Sequence, residues 1–287
     1  MRLRTLPLSL AGVILGLGLA TAEATVRPTV ATATLLTAAL LQILSNLSNE
    51  LGDYLSGTDT DGRTGPAYSL QSGTLSPADL RTAIAVTAVL CCLSGTAMIW
   101  LSFGTLLCVE AIVLLLLGAA AVWAAIRYTL GRNPYGYRGF GDLFVFLFFG
   151  LASVCGAYYV AVHCIVWSVL LASAAIGFFS IGVLNTNNIR DMETDAGTRV
   201  TIPLKIGLRN ARIYQTVLIC GGWAFLALFL LCDFDWWHWL VLVTLPLYAL
   251  HLRGVWTKSG RELDKMLPML VMTTFLLSCI LTLTYII

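Results

Sequence analysis

Long apolar stretches alternate with short polar segments along the whole chain. A hydrocarbon core about 30 Å thick requires about 20 apolar residues per helix, so each stretch is a candidate membrane span. Lipid admits only helices or closed barrels, and the alternating pattern of barrel strands is absent. The pattern therefore predicts an all-α polytopic membrane protein. The nine predicted spans are residues 6–25, 29–49, 82–103, 105–126, 141–162, 164–187, 211–232, 236–252 and 266–287.

The composition agrees with this prediction. Of 287 residues, 58% are hydrophobic and only 11% are charged, a balance that ordinary soluble domains do not have. No stretch indicates a separate soluble domain, so we predict one transmembrane bundle over residues 1–287. The first span has an alternative interpretation as a cleaved signal peptide, because MRLR precedes it and the small-residue string ATAEA ends it. Cleavage would leave eight spans.

The basic residues predict the orientation of the bundle. Of the 17 Lys and Arg residues, all except Arg27 precede the first span or follow an even-numbered span. They therefore share one side of the membrane, which the positive-inside rule makes cytoplasmic.

Acidic residues are concentrated after spans two and six. The first cluster contains Glu50, Asp53, Asp59 and Asp61, and the second contains Asp191, Glu193 and Asp195. At 100° per residue, two sets of side chains each share one face of a helix end. These sets are Asn46, Asn49, Glu50 and Asp53 in span two, and Asn187, Asn188, Asp191 and Asp195 in span six. Four spans separate the clusters, so both end on the cytoplasmic side and can face a common cavity.

Clustered carboxylates repel one another unless a positive charge joins them. The eight Cys and three His lack the spacing of a zinc site. Oxygen ligands from Asn and Asp fit a hard cation, and Mg²⁺ binds through a few carboxylates together with substrate phosphates. The loops on the same side supply basic groups that suit a diphosphate. These are Arg63, Arg132, Arg138, Arg199 and Lys205. A diphosphate at a membrane protein indicates a lipid diphosphate, although helix-end polarity and the positive-inside rule offer a plainer explanation.

The two clusters resemble the paired Asp-rich motifs of the UbiA superfamily, the intramembrane aromatic prenyltransferases, in which the motifs follow the second and sixth of nine helices. The first is similar to NExxD followed by GxD, and the second to NNxRDxxxD. Three further segments resemble the MenA type, the 1,4-dihydroxy-2-naphthoate polyprenyltransferases. They are RTLPLSLAGVILG at 4–16, GPAYSLQSGTLSP at 65–77 and YTLGRNPYGYRGFGDLFVFLFFG at 128–150. Because the first of them lies within span one, the resemblance also argues against cleavage of that span.

The resemblance implies a UbiA-like bundle in a bacterial cytoplasmic membrane. It also implies transfer of a polyprenyl group from polyprenyl diphosphate to 1,4-dihydroxy-2-naphthoate, with loss of carbon dioxide and diphosphate. The expected partners are these two substrates and membrane lipid, with no nucleic acid, and the expected cofactor is magnesium, as two ions. The implied metal ligands are Asn49, Glu50, Asp53, Asp59, Asn188, Asp191 and Asp195.

Other residues are implied to bind substrate. Arg132, Arg199 and Lys205 are expected to contact the diphosphate, and Tyr128, Tyr135 and Tyr137 to line the path of an allylic cation with their ring faces. Arg63, Arg138 and Asn46 complete the expected binding set. Asp53, Asp191, Arg132 and Lys205 are the expected catalytic groups.

Two positions depart from the superfamily pattern. Glu50 stands where Asp is usual, and Tyr68 stands where a basic residue is expected. Three alternatives stay open: a prenyltransferase with another acceptor such as 4-hydroxybenzoate, haem or a chlorin; a divalent-cation transporter; and a scaffold without chemistry.

Overall fold

The structure is a computed structural model that describes residues 3–57, 69–70 and 73–287. Within these residues the chain forms nine long helices and no strand, which confirms the all-α prediction. They are α1 (Leu6–Ala20), α2 (Pro28–Leu55), α3 (Pro77–Phe103), α4 (Val109–Arg127), α5 (Gly141–Val162), α6 (Trp167–Arg190), α7 (Ile202–Cys232), α8 (Trp237–Thr257) and α9 (Met266–Ile286). In the described part, eight helical segments are long and apolar enough to cross a membrane, and α1 is a shorter apolar helix. The protein is a multi-pass membrane protein.

Helix α1 lies in the centre of the bundle, and small residues allow its close approach to α5 and α9. A Cβ atom on Gly12 would lie 2.0 Å from Ser153 Oγ, and one on Gly16 would lie 2.2 Å from the carbonyl oxygen of Val154. In membranes, helices associate through such small-residue surfaces because apolar side chains gain little by leaving lipid. The first apolar stretch is therefore an integral part of the packing.

Several helix ends differ from the sequence prediction by five residues or more, and three of them bear on the site or the packing. Helix α1 ends at Ala20 rather than at residue 25, because residues 21–24 form a turn before α2. Helix α2 continues to Leu55, so Glu50 and Asp53 are helical beyond the apolar stretch. Helix α7 begins at Ile202, and Gly207 interrupts it with a φ of 78° that favours glycine.

The helices form two packed groups. The main core includes buried side chains of α1, α5, α6, α7 and α9, among them Leu15, Ile176 and Leu226. Helices α2 and α3 share a second cluster around Leu44 and Leu80, against which α4 packs. Between the two groups, α5 contains a π-helical turn at Phe146–Ala152, a local geometry that often occurs at functional sites.

Candidate active site

A cavity of about 740 Å³ lies between the two helix groups. One end is polar, and the walls away from it are formed mainly by apolar and small side chains of α3, α4 and α5. The polar end is lined by Asn46, Asn49, Asp53, Asn187, Asn188 and Arg199. An amphiphile with an anionic head and an apolar chain fits this division.

The end of α2 presents one polar face to the cavity. Asp53 is only 1% exposed, and its Oδ1 accepts hydrogen bonds from Tyr137 Oη at 2.8 Å and Arg199 Nη2 at 3.1 Å. Asn49 Oδ1 accepts one from Thr129 Oγ1 at 3.1 Å. Glu50 shares the helix face and is 1% exposed, but within the described residues it is not part of the cavity wall.

The end of α6 holds the second cluster. Asp191 is buried. Arg190 donates a hydrogen bond to each of its carboxylate oxygens, from Nε and from Nη2, both at 2.7 Å. Arg190 Nη2 also donates to Asn187 Oδ1 at 2.9 Å. Asp195 follows on the short helix Met192–Asp195 and is buried as well.

Arg199 joins the two clusters. Its guanidinium lies 3.1 Å from Asp53 Oδ1 and 3.2 Å from Asp195 Oδ1, and it stands 5.0 Å from the ring centroid of Tyr137. The two acidic helix ends are therefore at the same end of the bundle and close enough to share one cation. Carboxylates buried this deeply need such a positive partner.

A loop of tyrosines closes the polar end, and Tyr128, Tyr135 and Tyr137 all line the cavity. Tyr135 Oη donates to the Ala124 carbonyl at 2.7 Å, and its ring meets that of Tyr128 edge-on at 5.3 Å. Burial raises the pKa of Tyr135, and burial together with the negative charge of Asp53 raises the pKa of Tyr137 to about 12. Both hydroxyls therefore remain proton donors at neutral pH.

Comparison with known protein families identifies the family to which this chain belongs. The model of the UbiA prenyltransferase family matches residues 9–280. The chain belongs to this family.

Relatives and solved structures agree with this membership. A relative in Escherichia coli (strain K12), named 1,4-dihydroxy-2-naphthoate octaprenyltransferase, is 40% identical over 95% of this chain and 88% of its own length. Relatives of the same name in Haemophilus influenzae and Mycobacterium tuberculosis are 34% and 35% identical, over 98% and 94% of this chain and 92% and 88% of their own lengths. The structure of a UbiA homolog from Aeropyrum pernix K1, 16% identical, matches with a TM-score of 0.74 over 100% of this chain and 98% of that one. That likeness shows the fold.

The oxygen atoms of this UbiA-family site suit a magnesium ion that takes further ligands from a substrate. In the described ranges, no three His, Cys, Asp or Glu side chains are grouped so that they could hold a metal ion by themselves. Asn49, Asp53 and Asn188 nevertheless present oxygen donors to the cavity from two helix ends. Mg²⁺ commonly uses one or two carboxylates and takes its remaining ligands from substrate phosphates and water. The residues therefore fit an ion that is shared with a diphosphate.

Several predicted site residues lie away from this centre. Asp59 and Arg63 fall outside the described residues. Arg132, Arg138 and Lys205 are exposed and do not line the described cavity. Lys205 lies at its rim, because its Nζ is 3.3 Å from the Cβ position of Gly139, which is a lining residue. Asn46 lines the cavity and accepts a hydrogen bond from Gln42 Nε2 at 3.0 Å.

The structure adds residues that sequence reasoning missed. Asp264, just before α9, accepts hydrogen bonds from Arg190 Nη1 and Arg4 Nη1, each at 2.9 Å, and so ties the second cluster to another loop. Asp142, in the first turn of α5, lines the cavity and accepts a hydrogen bond from Tyr214 Oη at 2.8 Å. The sequence signals for Asp142 were a carboxylate at the start of an apolar stretch and its place in the segment 128–150 that resembles the MenA type.

Proposed function

We propose that the protein transfers a polyprenyl group from polyprenyl diphosphate to 1,4-dihydroxy-2-naphthoate. The carboxylate of the acceptor leaves as carbon dioxide, diphosphate is released, and the product is the quinol form of demethylmenaquinone, which a later two-electron oxidation by oxygen converts to demethylmenaquinone. The observation that carries the proposal is the junction of Asp53, Asp195 and Arg199 at the polar end of a largely apolar cavity. The names of the relatives supply the acceptor and the class of donor.

The diphosphate and the isoprenoid chain of the donor would occupy different parts of the cavity. The diphosphate lies at the polar end, where Arg199 offers a planar set of N–H donors that matches phosphate oxygens. Lys205, at the rim, and the exposed Arg132 and Arg138 are further cations within the tyrosine loop and the start of α7. The isoprenoid chain extends between α3, α4 and α5, whose lining side chains are predominantly apolar. Burial of each methylene there is favourable by about 0.8 kcal/mol.

Magnesium, as two ions, would be held by residues of the two motifs. These are Asn49, Asp53, Asn188, Asp191 and Asp195, with Glu50 and Asp59 as further candidates. When bound, the metal supplies positive charge that neutralises the diphosphate leaving group. Asn49, Asp53 and Asn188 line the described cavity, whereas Glu50, Asp191 and Asp195 are buried but are not part of the described cavity wall.

The side chains of the protein have defined tasks in the transfer. Arg199 binds the leaving diphosphate as the allylic C–O bond breaks, and this interaction strengthens as negative charge develops. Tyr137 fixes Asp53 through its hydroxyl, and the ring faces of Tyr128 and Tyr135 border the space in which the allylic carbon becomes positive. An electron-rich carbon of the acceptor ring then forms the new C–C bond, and the carboxylate is lost.

We place the protein in the bacterial cytoplasmic membrane, with the acidic end of the bundle at the cytoplasmic face. The distribution of basic residues supports this orientation, since all except Arg27 belong to segments on one side. The acceptor is a charged, water-soluble molecule, and a site at the cytoplasmic face is accessible to it.

The direct test is product analysis. Purified protein in lipid nanodiscs receives a polyprenyl diphosphate, Mg²⁺ and either 1,4-dihydroxy-2-naphthoate or 4-hydroxybenzoate, and mass spectrometry identifies the products. We expect the quinol form of demethylmenaquinone from the first acceptor, recovered as demethylmenaquinone after oxidation in air, and loss of its formation when EDTA removes the metal. Product from 4-hydroxybenzoate alone would refute the proposed acceptor. Metal flux into vesicles without any prenylated product would favour a transporter.

A further inference from the structure

Asp142 is a carboxylate in the cavity wall that belongs to neither Asp-rich motif. It lies in the first turn of α5, where the N-terminal end of the helix stabilises a negative charge. Its Oδ2 accepts a hydrogen bond from Tyr214 Oη, on α7, at 2.8 Å. The bond fixes the carboxylate in a half-buried position facing the cavity.

Aromatic side chains line the same cavity as Asp142, and one cation lies at the rim of this cavity. The rings of Tyr135 and Phe144 are 4.0 Å apart, and both residues line the cavity. The Tyr128 hydroxyl lies 3.0 Å from the Cβ position of Gly141, the residue that precedes Asp142. Lys205 lies at the rim of the cavity, with its Nζ 3.3 Å from the Cβ position of Gly139, three residues before Asp142. A flat aromatic molecule with both a hydroxyl and an anionic group matches these features.

We propose that Asp142 accepts a hydrogen bond from a ring hydroxyl of the aromatic acceptor and thereby orients and activates it. The inference rests on the proposed prenyl transfer. A hydroxyl bonded to a carboxylate forms a strong, charge-assisted hydrogen bond and increases the electron density of its ring. Asp142 also repels the carboxylate of the acceptor, which therefore faces Lys205. The two groups together fix which ring carbon meets the allylic carbon.

A purely structural role would give different results, because Asp142 also joins α5 to α7 through Tyr214. Tyr214→Phe breaks this link and keeps the carboxylate. Asp142→Asn keeps an oxygen that can accept from Tyr214 and removes the charge. Asp142→Glu keeps the charge on a longer side chain. Glu262→Gln removes an exposed negative charge in the segment before α9 and controls for net charge.

The experiment measures equilibrium binding of 1,4-dihydroxy-2-naphthoate by calorimetry, and the KM values of both substrates, for each purified variant. For Asp142→Asn we expect acceptor affinity to fall about tenfold and acceptor KM to rise about tenfold, the scale of one charged hydrogen bond, with donor KM within twofold. Asp142→Glu should recover part of the loss, and Tyr214→Phe and Glu262→Gln should stay within about threefold.

Two outcomes would overturn the role of Asp142. One is acceptor binding by Asp142→Asn within twofold of wild type, and the other is an equal loss in Glu262→Gln. A wild-type protein that binds the acceptor but forms no prenylated product would instead overturn the proposed function. The binding ratio would still decide the role of Asp142, because it does not depend on turnover.

Discussion

The hydroxyl of Tyr137 offers the sharpest test of how the site works. The sequence suggests that the ring face of Tyr137 meets the allylic cation, whereas the structure shows its hydroxyl donating to Asp53 at 2.8 Å. Tyr137→Phe removes the hydroxyl and keeps the ring, including its position 5.0 Å from the Arg199 guanidinium carbon. Tyr137→Leu removes both. The two variants therefore separate the two roles.

The size of the effect follows from the bond that is lost. A hydrogen bond to a charged group contributes about 1.5–3 kcal/mol. The lower value applies to Tyr137, because Asp53 keeps the hydrogen bond from Arg199 and the Tyr137 hydroxyl also lies 3.2 Å from Ser56 Oγ. A loss of about 1.5 kcal/mol in the transition state lowers kcat/KM about tenfold. Because the pKa of Tyr137 is raised to about 12, the hydroxyl stays protonated throughout an ordinary assay range, and the ratio should not depend on pH below about pH 10.

The assay is initial-rate product formation with saturating acceptor and varied polyprenyl diphosphate, quantified by chromatography. Tyr135→Phe is the matched control, since its hydroxyl binds the Ala124 carbonyl and not Asp53. We expect it to lose about 1 kcal/mol of stability and to change kcat/KM less than about threefold. If Tyr137→Phe keeps kcat/KM within twofold of wild type while Tyr137→Leu loses it, the ring face is the important group and the reasoning from the hydrogen bond is refuted.

Three further predictions concern the motifs and two glycines. Asp53→Ala and Asp191→Ala should each abolish product in a protein that stays monodisperse in detergent, and normal turnover by either with Mg²⁺ present would contradict the metal role. Gly52→Ala should lower stability by about 1–3 kcal/mol in thermal unfolding, because its Cβ would lie 2.6 Å from Thr129 Cβ; an unchanged transition would show that the loop moves away freely. Gly156→Leu adds a side chain where nothing lies within 4 Å on the cavity wall. It should reduce kcat/KM for long donors more than for short ones, and an unchanged ratio would place the isoprenoid elsewhere.

The features that sequence patterns predicted well are local ones. Apolar stretches located all nine helices, because the length of a membrane span is set by the bilayer rather than by the neighbouring helices. Helical periodicity placed Asn46, Asn49 and Asp53 on one face, and all three line the cavity. The ends of the helices were less predictable, because Thr21 and Gly207 act through turns and φ angles that hydropathy does not detect.

Contacts between distant parts of the chain could not be read from the pattern. Arg199 meets Asp53 across 146 residues, and Tyr137 meets it across 84. Nothing local distinguishes Arg199 from the exposed Arg132 and Arg138, since all three follow a span on the basic side. The fold separates them by enclosing one guanidinium between two carboxylates and leaving the other two on the surface.

Arg190 and Arg199 explain why several buried carboxylates are tolerated at the polar end of the cavity. A buried carboxylate without a counterion pays a desolvation penalty of several kcal/mol, and removal of one partner from a buried pair is strongly destabilising. Arg199 therefore stabilises Asp53 and Asp195, and Arg190 stabilises Asp191. If the proposed function is correct, a diphosphate that enters with magnesium would bring both charges at once. The diphosphate oxygens would accept hydrogen bonds from Arg199, and Asp53 and Asp195 would hold the metal, so neither charge would be left without a partner.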